Sequence, residues 1–189
     1  MSIPSRPGAG PDLETIFNGK GCSVARGRWC MYYRLSGPWD LGSAHGDRAV
    51  ARRSALKALV ESGRSPGLIG YHGEVPVGWV SLGPREDYAR LARSPIMKPV
   101  DGQPVWSIVC FVVPSPMRGQ GVARGLLQGA VEHARRQGVT LLEAYPVDRP
   151  GRSSAESLWF GAKPMYDQAG FVEVARRKPH RPVVRLCLG

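Results

Sequence analysis

The chain has 189 residues, 42% of them hydrophobic and 8% aromatic, and a formal net charge of +11. Its composition predicts one soluble globular domain. The sequence shows neither a signal peptide nor an apolar run near the roughly eighteen residues that cross a bilayer, so we expect a cytoplasmic protein with no membrane partner. The positive charge favours an anionic ligand such as a phosphorylated cofactor; it favours nucleic acid less, because the arginines are scattered along the chain.

The first 27 residues differ from the rest of the chain. Their opening is rich in Pro, Gly and Ser, which is typical of a mobile tail, and Asp12 can cap a short helix that ends at Phe17. The aromatic run at 29–35 predicts the first strand of a sheet. We therefore assign residues 1–27 to a tail with a short helix and residues 28–189 to the folded domain.

A helix, a hairpin, a short helical stretch and a long loop are predicted next. The helix begins at the cap Asp47 and stops at Gly63, and the hairpin turns at Gly73 and Glu74. The loop is rich in proline and is predicted to lie on the surface, with a lid or pocket wall as the alternative. In chain order these segments are the helix 47–62, the strands 68–72 and 76–82, the helical stretch 84–92 and the loop 94–104.

The second half of the chain alternates strands with helices. The nearly unbroken apolar run at 105–113 indicates a strand covered on both faces. The predicted elements are strand 105–113, helix 118–137, strand 141–147, a helix around 159–169, and strands 171–175 and 182–188 separated by a basic turn at 176–179. We therefore predict an α/β fold, a single domain with one mixed β-sheet flanked by helices on both sides.

The segment from Val112 to Ala123 joins an apolar strand, a glycine-rich turn and the start of a helix. The first turn of a helix leaves backbone N–H groups unpaired and carries the positive end of the helix dipole, so this arrangement favours a pyrophosphate. Gly119 and Gly121 allow close approach, and Arg118 adds positive charge. A Walker loop is excluded because no Gly-Lys-Ser/Thr follows, and the dinucleotide fingerprint fails at its third glycine. A turn without a ligand remains the alternative.

Two motifs resemble those of the GNAT family of N-acetyltransferases. Arg118, Gly121 and Ala123 fill the fixed positions of its acetyl-CoA signature, Q/R-x-x-G-x-G/A. Further along, residues 166–171 match the family's Y-x-x-x-G-F. The resemblance covers about residues 28–189 and implies the GNAT fold, acetyl-CoA as co-substrate, no metal, and direct transfer of the acetyl group to a primary amine.

The resemblance also implies which residues bind the co-substrate. Main-chain groups at the end of the family's fourth strand hold the pantetheine arm, and backbone amides in the glycine turn take the pyrophosphate. The residues implied are Phe111, Val112 and Val113 for the arm, and Arg118, Gly119, Gln120, Gly121, Val122 and Ala123 for the pyrophosphate. Trp159 stands where many relatives have an asparagine, a departure that bears on how the pantetheine arm is positioned.

The catalytic groups are marked less clearly than the binding residues. Tyr166 is the candidate general acid, because a phenol with the ordinary pKa of about 10 is protonated at neutral pH, and packing under the cofactor is the alternative. Residues 107–110 contain no carboxylate, although many relatives place their base there. Glu143 shares a strand face with Tyr145 and is the first candidate base, with proton transfer to water as the alternative.

The acceptor amine is left open by the sequence. Several aromatic and sulfur-containing residues can wall an acceptor pocket or simply pack in the core. They are Trp29, Met31, Tyr32, Tyr33, Tyr88 and Trp106. We expect a small-molecule or protein amine, and a homodimer is one candidate assembly. The alternatives are an acetyltransferase acting on an aminoacyl-tRNA or another nucleic-acid-bound amine, and a non-catalytic acyl-CoA-binding module.

The four cysteines are widely spaced. Because Cys22, Cys30, Cys110 and Cys187 form no Cys-x-x-Cys pairs, we expect free thiols and no metal site. Cys110 and Cys187 lie in strand-like runs, where a thiol behaves as a small apolar side chain. Cys30, between an aromatic residue and a methionine, is a candidate pocket residue.

Overall fold

A mixed sheet of seven strands organises the residues that the computed structural model describes, which are 2–4, 8–36, 45–149 and 159–189. The strands are β1 (Ser2–Pro4), β2 (Gly67–His72), β3 (Val75–Pro84), β4 (Trp106–Val112), β5 (Leu141–Ala144), β6 (Val172–Lys178) and β7 (Arg181–Cys187). Their order across the sheet is β1-β2-β3-β4-β5-β7-β6. The β4–β5 pair is parallel, and the other neighbouring pairs are antiparallel.

Helices pack on both faces of this sheet. They are α1 (Gly10–Phe17), α2 (Ser23–Arg28), α3 (His45–Glu61), α4 (Ala89–Ala92), α5 (Val122–Arg136) and α6 (Lys163–Gln168). Successive strand residues face opposite sides, so on β2 Leu68 packs in the cluster that contains α5 while Ile69 packs with α1, α2 and α3. The predicted α/β fold with one mixed sheet and helices on both sides is therefore confirmed.

Helix α5 makes the crossover between the parallel strands β4 and β5. Its buried residues recur at helical spacing and form one stripe, which consists of Leu126, Leu127, Ala130, Val131, His133 and Ala134. The helix begins at Val122 rather than at 118, because a 3₁₀ turn at Ser115–Met117 and the left-handed backbone of Gly119 and Gly121 come before it. The packed stripe holds the N-terminus of α5 beside the end of β4.

Strands β4 and β5 diverge at this same place. Their pairing runs from Trp106 opposite Leu142 to Ile108 opposite Ala144, where β5 ends, while β4 continues to Val112. Beyond the divergence the backbone N–H of Phe111 donates to the carbonyl of Trp159 at 2.8 Å. The carboxyl-terminal half of β4 therefore faces the segment at 159–161 instead of β5.

The predicted strand at 29–35 is wrong. Trp29 and Cys30 have left-handed backbones with φ of 45° and 49°, and Leu35 N–H donates to Met31 carbonyl in a tight turn. The Trp29 ring stacks on the Phe17 ring with centroids 4.6 Å apart. The aromatic residues of this run are thus explained by burial against α1 and not by strand pairing.

Residues 8–27 belong to the same core as the rest of the described domain. Ser2–Pro4 pairs with β2 as an edge strand where a mobile tail was predicted. α1 begins at Gly10, and the Asp12 carboxylate does not cap it but accepts a hydrogen bond from the Tyr71 hydroxyl at 2.5 Å. α1 and α2 bury side chains in the cluster that contains Trp79 of β3, so residues 8–27 pack as part of the domain.

Other predicted boundaries shift by a few residues. The hairpin of β2 and β3 is confirmed, as is a helix at 47–62, which begins at His45 and ends at Glu61. β5 stops at Ala144, and α6 begins at Lys163. The basic residues 176–178 belong to β6, so the turn before β7 shortens to Pro179 and His180. The beginning of the predicted helix around 159–169 differs because 159 and 160 form a turn.

Candidate active site

A cavity of about 780 Å³ opens where the end of β4 meets the start of α5. Its walls come from four stretches of chain: the segment before and within α2, the end of β4, the glycine turn with the start of α5, and the segment that leads into α6. The residues implied by the motif that line it are Phe111, Val112, Val113, Arg118, Gly119, Gly121, Val122 and Ala123. Gln120 does not line the cavity, and its side-chain amide donates to the Pro116 carbonyl at 2.7 Å.

The glycine turn lines the cavity at the start of α5. Gly119 and Gly121 have φ of +77° and +79°, and a Cβ atom at either position would meet no other atom within 4 Å. The first backbone bond of α5 runs from Gly125 N–H to Gly121 carbonyl at 3.0 Å. The amides of the three residues before Gly125 therefore have no partner within the helix, which is the arrangement that binds anions.

Arg118 braces this turn as well as adding charge. Its Nε donates to Val113 carbonyl at 3.0 Å, and its Nη2 donates to Gly21 carbonyl at 2.8 Å. Next to these bonds, Ser115 N–H donates to Lys20 carbonyl at 2.8 Å. The guanidinium thus ties the end of β4 to the segment before α2 across the mouth of the cavity.

Sequence reasoning missed two walls of the cavity. One, at α6, is lined by Gly161, Ala162, Pro164, Met165 and Gln168, and the second lies at α2. Gly21, Cys22, Val24 and Ala25 line it from α2 and the turn before it. These small residues match no binding motif, and no local signal in the sequence marks them. Burial raises the pKa of the Cys22 thiol, while Arg118 has the opposite effect.

Cys30, the thiol predicted as a pocket residue, does not line the cavity. Cys30 is buried in the core with Cys110, and burial followed by its contact with Cys110 holds its pKa well above the ordinary range. The loop at 94–104 is also absent from the cavity walls. Arg177 donates to the carbonyls of Lys98 and Pro99 at 2.7 and 3.0 Å, which holds this loop against β6.

Tyr166 lies behind the cavity wall. Its side chain is fully buried, and its hydroxyl donates to the Phe160 carbonyl at 2.8 Å. Its ring packs edge-on against Phe171, with centroids 5.1 Å apart, and against Phe111 at 6.5 Å. Burial raises the pKa of Tyr166, so the phenol stays protonated, but its proton is bonded to a backbone carbonyl.

Glu143 is the centre of a buried ion-pair cluster. One carboxylate oxygen accepts from Arg85 at 2.7 Å and from the Tyr145 hydroxyl at 2.7 Å, and the other accepts from Arg185 at 2.9 Å. Arg185 also binds the Asp101 carboxylate at 2.6 and 3.0 Å. Glu143 has no exposed surface, and both of its oxygens are occupied by cations or hydroxyl donors.

The aromatic residues proposed for an acceptor pocket separate into two groups. Trp29 and Tyr88 are buried in different core clusters, and Trp106 packs beside the His133 ring. Tyr33 instead lies against Phe160, with ring centroids 5.4 Å apart. Phe160 is next in the chain to Trp159, which lines the cavity.

Metal-binding groups and membrane-spanning helices are two features that distinguish classes of protein. Among the residues with described positions, no group of three or more His, Cys, Asp or Glu side chains could hold a metal ion. The helices there include none with the length and apolar character needed to cross a bilayer.

Known proteins show which family has this architecture. The model of the acetyltransferase (GNAT) family matches residues 31–171. The ribosomal-protein-alanine N-acetyltransferase from Brucella melitensis is 19% identical, with a TM-score of 0.54 over 100% of this chain and 99% of that chain. The Drosophila melanogaster polyamine N-acetyltransferase is 14% identical, with a TM-score of 0.56 over 100% and 99%.

A third similar structure contains a bound co-substrate. The yncA protein of Salmonella typhimurium, solved with its cofactor acetyl-CoA, is 18% identical, with a TM-score of 0.52 over 100% of this chain and 94% of that chain. None of the curated proteins matches the sequence significantly. Because the family model spans most of the chain, from the turn after α2 to the residue before β6, the protein belongs to the GNAT family of acetyltransferases.

Proposed function

We propose that this protein transfers the acetyl group of acetyl-CoA directly to a primary amine. The observation that carries the proposal is the glycine turn at 118–123, which lines a cavity of about 780 Å³ where α5 begins. That volume is typical of a small-molecule site. The acetyl-CoA bound to the similar yncA protein supports the choice of co-substrate.

The residues around the cavity suit the parts of such a donor. We assign the pyrophosphate to the amides that begin α5 and the pantetheine arm to the main chain of Phe111, Val112 and Val113. The thioester supplies an activated acyl group. Transfer forms a C–N bond and breaks a C–S bond, and the proton that leaves the amine is balanced by one taken up by the thiolate.

Calorimetry with purified protein tests the proposal. We expect one molecule of acetyl-CoA or of CoA to bind each protein molecule with measurable heat. When the protein and acetyl-CoA are mixed with a panel of amines, we expect release of free CoA thiol with at least one of them. Heat without thiol release from any amine would leave a binding module in place of an enzyme. If neither CoA nor acetyl-CoA gave heat, the proposed function would be wrong.

We further propose that Tyr166 positions the cavity wall and does not deliver a proton. Its hydroxyl holds the Phe160 carbonyl, and the neighbours of Phe160 on both sides, Trp159 and Gly161, line the cavity. The variant Tyr166→Phe should therefore lower the free energy of unfolding by about 1–2 kcal/mol, because a buried carbonyl loses its donor. We expect turnover to stay within about fivefold of that of the parent, whereas removing a general acid is expected to slow it by ~100-fold or more.

Thermal unfolding and steady-state kinetics measure these two effects separately. Tyr71→Phe is the matched control, since it removes a hydroxyl that bonds Asp12 on the surface of α1 and not at the cavity. If Tyr166→Phe instead slowed turnover by about two orders of magnitude and left the KM for acetyl-CoA unchanged, proton donation would be assigned to Tyr166.

A further inference from the structure

Arg181, at the start of β7, is a partly buried cation. Its guanidinium carbon lies 4.6 Å from the centre of the Phe160 ring, and its Nε is buried without a hydrogen-bond partner. Among the described residues, no carboxylate pairs with it. Leaving a buried polar nitrogen unpaired is unfavourable, because it loses its bonds to water and gains none in return.

The other partly buried arginines behave differently. Arg52, Arg90 and Arg177 donate to backbone carbonyls, and three others are held by a carboxylate at hydrogen-bond distance. These pairs are Arg34 with Asp87 at 2.9 Å, Arg85 with Glu143 at 2.7 Å, and Arg185 with Asp101 at 2.6 Å. Arg34 shares with Arg181 a buried Nε that has no hydrogen-bond partner, but of these four arginines only Arg181 lacks a carboxylate.

The surroundings of Arg181 add positive charge. Burial lowers the pKa of Arg181, and the nearby Arg149 lowers it further. Arg28 lies near two further aromatic rings. Its guanidinium carbon is 6.0 Å from the centre of the Trp159 ring and 4.9 Å from the centre of the Tyr32 ring. Arg28 and Arg181 thus approach one group of aromatic rings, and Arg149 adds its charge near Arg181. The local potential is therefore attractive to an anion and repulsive to a polyamine.

This cationic cluster lies beside the proposed transfer site. The Arg181 guanidinium lies over the Phe160 ring. The residues before and after Phe160, Trp159 and Gly161, line the cavity. The Phe160 ring also packs edge-on against Tyr33 and Tyr145, with centroids 5.4 and 6.0 Å away. A ligand held by Arg181 would therefore lie across one short segment from the cavity, where β4 and β5 diverge.

We propose that the acceptor is a small amine that also carries a carboxylate, namely an amino acid with an apolar or aromatic side chain. Its carboxylate pairs with the Arg181 guanidinium, and its side chain packs against Tyr33 and Phe160. This inference rests on the proposed acetyl transfer and names the acceptor class of that same site. A planar guanidinium suits a carboxylate because it can donate two parallel hydrogen bonds.

An acceptor series that varies only the carboxylate tests this. L-phenylalanine and L-leucine are compared with their amides, with phenethylamine and isoamylamine, which lack the carboxylate, and with agmatine as a polycation. Thiol release from acetyl-CoA is the readout. We expect kcat/KM for the amino acids to exceed that of each amide and amine by at least about 10-fold, the range expected for a charged hydrogen bond.

Variants of Arg181 then connect the preference to this side chain. Arg181→Gln should lower kcat/KM for the amino acids about 10- to 100-fold while changing that for the amides less than about threefold, and Arg181→Lys should recover part of the loss. Arg136→Gln is the control, because it removes the same charge from an exposed position near the end of α5. Thermal unfolding checks that each variant is folded.

Three results would overturn the inference. They are equal or faster acetylation of the amides, amines or agmatine, an equal effect of Arg181→Gln on acceptors with and without a carboxylate, and acetylation of none of the amino acids. Calorimetric binding of acetyl-CoA, measured on the same preparations, separates this inference from the proposed function. Heat with acetyl-CoA but no carboxylate preference would remove only the acceptor assignment.

Discussion

Replacing Gly121 with valine is expected to reduce CoA affinity by at least about 100-fold while the protein remains folded. Gly121 is the N-cap of α5 with φ of +79°, and its Cα faces open space at the unpaired amides. A valine side chain would occupy the space through which a phosphate must approach those amides. The left-handed backbone at position 121 is also unfavourable for valine by about 1–2 kcal/mol. Relief of this strain would rotate the peptide units and move the amides away from a common centre.

Gly63→Val is the matched control for this experiment. Gly63 follows α3 with φ of +81°, and a Cβ atom there also meets nothing within 4 Å, but it does not line the cavity. Both variants should therefore lose similar stability in thermal unfolding, and only Gly121→Val should lose its calorimetric heat with CoA. Unchanged CoA affinity in Gly121→Val would contradict a phosphate site at the turn.

The variant Glu143→Gln is expected to lower the free energy of unfolding by about 3 kcal/mol, because it removes the anion between two buried cations. Arg85 and Arg185 would then face an amide that carries no charge, and the amide nitrogen would oppose one of the guanidinium donors. For a chain of this size the melting temperature should fall by roughly 6–12 °C. Denaturant unfolding gives the free energy directly.

The same variant separates a structural role of Glu143 from a catalytic one. If the carboxylate only holds Arg85 and Arg185, the pH–rate profile of the folded fraction keeps its shape. Glu132→Gln is the control, since Glu132 is exposed on α5 and its Oε2 lies 3.9 Å from Nη2 of Arg136. Loss of this carboxylate should change the free energy of unfolding by less than about 0.5 kcal/mol. Full stability together with a lost acidic limb of the profile would instead make Glu143 the general base.

Features that depend on a few neighbouring residues were predictable from the sequence. The β2–β3 hairpin, the α3 helix and the glycine turn before α5 all appear where their patterns placed them, within a few residues. The helix and the turns depend on hydrogen bonds between residues up to four apart and on backbone angles that glycine allows, and the hairpin pairs two strands that are adjacent in the chain. The motif residues at 118–123 gather at one cavity, apart from Gln120, for the same reason.

Features that depend on distant residues required the tertiary structure. Trp29 was expected in a strand, but its stacking on Phe17 and the closure of the turn after α2 decide its backbone. The pairing of Glu143 with Arg85 and Arg185 joins residues 58 and 42 positions apart. Local patterns in the sequence predict helices, strands and turns because these elements depend on residues only a few positions apart. The partner of a buried charge is decided only when the sheet brings separate strands together.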